Sequence, residues 1–271
     1  MNRSVVITRT QATGILAGAA VSGLILTGCG STSGSTASSS SSQSTGSTAS
    51  SAPASSGPAR SGSASSVSTG SGAAAFFPLA VGNKWVYVDK LSAEQGTVTN
   101  QVISVTPVAN GTQVVMKDRD DLGGGAPDTS TSAVIVHSDG SISVPMTTVG
   151  DSFKVKSGSV VWPSSAQLAS GQPHHDTLVM TMTMLGHKST IRAHVVVKGE
   201  GTHAVTVPAG TYQATVIDEV MSEKFSGIAI VLDIRTWVAN GVGPVKTEMT
   251  SNAAGKTAIV NDQELKSFTR G

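Results

Sequence analysis

The sequence predicts a mainly β protein: a single antiparallel sheet curled as a half-barrel or barrel, with a two-sheet sandwich as the alternative. Three observations lead there. Beyond residue 76, apolar and β-branched residues recur in short runs that alternate with polar ones. Turn residues such as Asp139-Gly140 separate the runs. Most links are too short for a crossover helix, so sequence neighbours pair antiparallel as a meander. A sheet that long must curl or fold over to manage its edges.

The chain divides into residues 1–28, 29–75 and 76–271. The first segment carries Arg3 and Arg9, no acidic residue, and an apolar run of small residues from about Gly14 to Leu26. That is the shape of a secretory signal peptide, and the run is short for a membrane-spanning helix, which needs about 20 apolar residues. It ends in Leu26-Thr27-Gly28-Cys29, which resembles the bacterial lipobox. The resemblance implies diacylglycerol on the Cys29 thiol, cleavage just before Cys29, and a membrane partner held through that lipid on the outer face of the cell membrane. Small side chains at Thr27 and Gly28 let a peptidase reach the backbone. Cys29 is the one cysteine of the chain, so it has no disulfide to form. The alternative is a secreted protein in which Cys29 is incidental.

Residues 30–75 are dominated by Ser, Gly, Thr and Ala, with Arg60 the one charged residue. Nothing there buries a core, so the segment reads as a disordered spacer, with a span of about 35 to 40 Å for a flexible coil of that length. An O-glycosylated stalk is the other reading.

The folded domain starts where aromatics appear, at Phe76-Phe77-Pro78-Leu79. Strands are expected over 84–89, 97–106, 112–117, 133–136, 141–144, 177–185, 190–197, 204–207, 215–225, 228–239, 245–250 and 257–261. Short helices are expected over 164–170 and 262–268.

Val81-Gly82-Asn83-Lys84-Trp85, Val207-Pro208-Ala209-Gly210-Thr211-Tyr212 and Trp237-Val238-Ala239-Asn240-Gly241-Val242-Gly243-Pro244 together span most of the domain. In these segments the chain resembles bacterial envelope proteins of the TapB-like group and, more distantly, curved-sheet lipoprotein carriers of the LolA and LppX kind. The resemblance implies no catalytic residue. Pro208 with Gly210, and Gly241 with Gly243, read as turn motifs, glycine permitting positive φ. Trp85 and Trp237 read as sheet anchors, with ligand contact as the alternative.

Removing residues 1–28 takes the 18 basic and 17 acidic residues to 16 and 17. Without a basic field a nucleic-acid partner is not expected. Leu178, Met180, Met182 and Met184 fall on one face of a strand, either as core or as an adaptable wall for a hydrophobic ligand. His174, His175, His187 and His194 concentrate the metal-competent side chains, and His187 and His194 are expected to approach each other near a turn. Adjacent histidines in a strand point to opposite faces, however, and zinc needs three or four convergent ligands, so surface roles are expected and no metal or cofactor. Asp118 to Asp128 reads as a solvated, acidic, glycine-rich hairpin loop lacking the ligand spacing of a calcium loop. No nucleophile-elbow, S-x-x-K or phosphate-loop motif is present. The expectation is a non-catalytic binding module of the envelope, with an envelope protein or a hydrophobic ligand as partner. A lipid carrier and an uncharacterised hydrolase or metal protein are the alternatives.

Overall fold

The computed structural model describes residues 76–91, 96–122, 126–144, 153–184, 187–225, 228–253 and 255–271. Cys29, the residues before it and the stalk lie outside this set.

Thirteen strands and one helix follow in order. They are β1 (Lys84–Asp89), β2 (Thr97–Val108), β3 (Gly111–Asp121), β4 (Asp128–Val136), β5 (Ile142–Val144), β6 (Phe153–Ser157), β7 (Val160–Trp162), α1 (Ser165–Ser170), β8 (His174–Met184), β9 (His187–Val207), β10 (Gly210–Phe225), β11 (Ile228–Ala239), β12 (Gly243–Ala253) and β13 (Lys256–Thr269). All thirteen strands form one sheet, ordered β6-β8-β9-β10-β11-β12-β13-β1-β2-β3-β4-β5-β7, and every ladder is antiparallel. The meander of the sequence is therefore present, as one curled sheet and not a sandwich.

The ladder does not close. Its end strands β6 and β7 are nevertheless consecutive in the chain, joined by Gly158 and Ser159, so the polypeptide crosses from one end of the sheet to the other. Gly158 makes the crossing at φ 97°, and a Cβ there would stand 2.4 Å from the Thr177 carbonyl oxygen. Only glycine passes that close with that backbone.

Alternation assigns the inner face. Trp85, Tyr87, Val98, Val102, Val114, Met116, Leu178, Met180, Ile191, Val195, Ile217, Met221, Ile234 and Leu265 are all buried. Trp85 stacks on Phe268 at 5.2 Å and donates its indole N–H to the Val242 carbonyl at 2.5 Å, while the Tyr87 hydroxyl donates to the Pro244 carbonyl at 3.1 Å. Burying rings of this size supplies much of the hydrophobic gain, and satisfying their polar tips avoids its loss.

Helix α1 forms as expected around a capping box, in which Ser164 and Gln167 exchange side-chain and backbone bonds, and Gly171 ends it in the left-handed conformation. It lies on β9 because Gly199 has no side chain: a Cβ there would meet the Leu168 carbonyl oxygen at 2.2 Å.

Four expectations are corrected. The helix expected over 262–268 is the end of β13, whose alternating inward residues Gln263 and Leu265 pair with Asp89 and Tyr87 of β1. The strands expected over 190–197 and 204–207 are one strand, β9. Strands β6 and β7 were not foreseen. Asp118 is not in a loop; it is an inward, buried residue of β3.

Candidate functional site

Strand register places a polar row on the inner wall. Thr236 of β11 pairs with Thr247 of β12, which pairs with Gln263 of β13, which pairs with Asp89 of β1. All four are buried. Two residues along β10 from Ile217, which pairs with Thr236, Glu219 points into the same interior and pairs with Ile234 and Val197. Gln263 Nε2, Glu219 Oε1 and both carboxyl oxygens of Glu223 are buried with no hydrogen-bond partner among the described residues. Buried polar groups are normally satisfied, so such a concentration on one wall calls for a cause. The buried residues described include no Lys or Arg.

Burial pushes the Glu219 carboxyl up to about 7, the Trp162 indole N–H lowers it, and the charge of Asp176 adds to the rise. The indole donates to Glu219 Oε2 at 3.3 Å. Burial likewise raises Glu223. Across the interior, Asp118 is pushed up to about 7, first by burial, with the Ser132 hydroxyl opposing and Asp120 reinforcing. Turned to donate, the Asn100 amide reaches Asp118 Oδ1 at 3.2 Å. Burial and the nearby Asp118 push the Tyr87 phenol up as well. Glu219 and Asp118, pushed up to about 7, offer hydrogen-bond donors and acceptors without full charge near neutrality.

Between β7 and β8 the ladder is replaced by side-chain bonds. Val161 N–H donates to Asp176 Oδ2 at 2.8 Å, and Asp176 Oδ1 lies 3.3 Å from His174 Nε2. Trp162 is buried there, its ring 6.1 Å from that of Phe77.

The structure places the residues nominated from sequence as follows. Leu178 and Met180 are wholly buried, while the side chains of Met182 and Met184 lie outside the described set. His174 is half-buried beside Asp176, and His175 is exposed on the opposite face. His194 is exposed opposite Thr177. His187 and His194 do not meet across a turn: both lie on β9, seven residues and about 23 Å apart along an extended strand. Among the described residues no three His, Cys, Asp or Glu side chains gather to hold a metal ion, and no helix is long and apolar enough to cross a membrane. Gly210, Gly241 and Gly243 have φ of 136°, 69° and 96°. Lys246 lies 5.3 Å above the Trp237 ring, which is partly buried. Asp120 and Asp121 continue β3 and Asp128 opens β4, so the acidic segment is largely strand. Residues 123–125 lie outside the described set.

The polar row escaped sequence reading because its members sit on four strands. For the acids beside it a signal existed: Glu219 and Glu223 occur in phase with the apolar Ile217 and Met221 of one strand.

The DUF3108-like family model matches residues 82–258. Two solved structures share the fold. One, from Bacteroides fragilis, is described as an exported protein with a YmcC-like fold and is 18% identical, with a TM-score of 0.51, over 72% of this chain and 99% of that one. The other, described as a lipoprotein from Parabacteroides distasonis, is 15% identical, with a TM-score of 0.52, over 72% of this chain and 98% of that one. Among curated proteins none matches.

Proposed function

The chain belongs to the DUF3108-like family, and from that premise we propose that it is an exported lipoprotein, tethered by diacylglycerol on Cys29, whose curled sheet is a non-catalytic binding module of the cell envelope. The N-terminal run ending in Leu26-Thr27-Gly28-Cys29 supports the address, and the descriptions of the two structural neighbours agree with it. Two acyl chains make a durable anchor, since each buried methylene adds about 0.8 kcal/mol.

The observation that carries the binding reading is the inner polar row, with Gln263 Nε2 within it and Glu219 Oε1 beside it lacking partners among the described residues. A buried polar atom without a partner costs about 1–3 kcal/mol, and a ligand bringing hydrogen-bonding groups would recover that. The surrounding wall of Met221, Leu232 and Ile234 is apolar, so the ligand is an amphiphile with a polar, non-anionic head. Within this reading the domain is a carrier of lipid or another hydrophobic ligand, which fits the resemblance to TapB-like and LolA-type proteins. Its near-neutral charge leaves no basis for nucleic-acid binding.

Mass spectrometry of solvent extracts tests this, using full-length protein purified from the membranes of cells that make it. One small-molecule class is expected at near-stoichiometric amounts in the wild type, reduced in Gln263→Leu and in the near-isosteric Thr236→Val. An extract indistinguishable from a blank, or equal amounts in all three proteins, contradicts the reading.

A further inference from the structure

We propose that the β7–β8 seam is a pH-responsive latch over the inner wall, closed while Glu219 is protonated and loosened when Glu219 ionises beside Asp176. The observation is geometric. Everywhere else the sheet is held by backbone ladders, but here the chain crosses between its two ends, and side chains hold what the ladder does not. Val161 N–H is fastened to Asp176 Oδ2, and the Trp162 indole to Glu219 Oε2. Strand β7 is only three residues long and keeps a ladder on its β5 side alone. Releasing the Val161–Asp176 bond frees β7 from β8, and releasing the indole bond lifts the buried Trp162 off Glu219 of β10, while every ladder of the sheet stays intact.

The titratable groups facing Glu219 are few. From β8 come Asp176 and, through it, His174. β7 and α1 contain no ionisable residue. The flanking partners on β9 and β11 are Val197 and Ile234. The Trp162 indole bond favours the carboxylate, but burial outweighs it and no described cation compensates the charge, so ionisation in place is costly and opening, which hydrates the carboxylate, relieves it.

The sign follows from linkage. The closed state holds the Glu219 proton up to about pH 7, against 4.5 for a solvated glutamate. Closure is therefore tightest at low pH and weakens as pH rises through that window, levelling off above it. From pH 6 to pH 8 the population of the open seam should rise about tenfold if opening fully hydrates the carboxyl.

Hydrogen exchange read by mass spectrometry on full-length protein at pH 6 and pH 8, corrected for intrinsic exchange rates, tests the latch. Protection of the Val161 amide, the one fastened to Asp176, should fall about tenfold at pH 8 relative to the amides of β12. In Glu219→Gln, which mimics the protonated acid, the fall should vanish. Equal protection at the two pH values in the wild type overturns the proposal, and this comparison needs no variant to fold. A pH-dependent loss that persists in Glu219→Gln overturns it too.

Discussion

The wall from β9 to β13 and the seam around β7 solve the same problem by different means. In the wall, β10 pairs with β11 over the whole stretch from Ala214 to Phe225, and β11, β12 and β13 continue the pattern. At the seam, β5 and β7 share only three residue pairs, one side-chain bond joins β7 to Asp176 of β8, and another joins it to Glu219 of β10. Ladder bonds use groups every residue possesses and are indifferent to pH. The seam bonds depend on the identity of Asp176 and on the identity and protonation of Glu219. The comparison teaches where the fold is robust and where it is adjustable.

The largest effect should come from the apolar wall. Leu265→Ala, on β13, removes a wholly buried side chain and should cost about 2–5 kcal/mol in urea unfolding. Ile259→Ala on the exposed end of β13 should stay within about 0.5 kcal/mol. Similar losses at the two sites would dissolve the distinction between core wall and exposed strand.

Next comes pH. Glu219 and Asp118 are each protonated in the fold up to about 7, from ordinary values of 4.5 and 3.8. Between those limits the folded state binds more protons than the unfolded chain, so stability falls as pH rises. At pH 8, Glu219→Gln should be more stable than the wild type by up to about 3 kcal/mol, the gap shrinking to nothing near pH 4.5. Thermal unfolding across pH 4–8 checks this, and a wild-type stability that rises from pH 5 to pH 8 would contradict it.

Gly158→Ala should destabilise by about 1–3 kcal/mol, from its positive φ and the Thr177 carbonyl in its way, and should loosen the seam before the wall. Hydrogen exchange resolves that order. The smallest effect belongs to Arg235→Ala: its ion pair with Asp218 is 3.5 Å long and exposed, so less than about 0.5 kcal/mol should be lost in the same unfolding assay.

The wall was legible in the sequence because its strands are long enough to show a period of two. Strand β7, three residues before Pro163, has no period to show, and its place is set by β5 and Asp176. Residues 262–268 carry helix formers, but the inward Gln263 and Leu265 and the partner β1 override propensity. The break expected between 197 and 204 is absent, and Gly199, which falls in it, is where α1 rests. The polar row required register between four strands, which no single segment encodes. For Asp118, nearby acids and glycines suggested a loop, while the phase it shares with Val114 and Met116 was the better guide.

The setting of all this rests on Cys29, and labelling cells with an alkyne palmitate analogue tests it most directly. The wild-type chain should take up the label and lose residues 1–28, whereas Cys29→Ala should remain unlabelled and keep its signal peptide. A Cys29→Ala chain that is labelled, or that is cut to the wild-type N-terminus, would contradict the account.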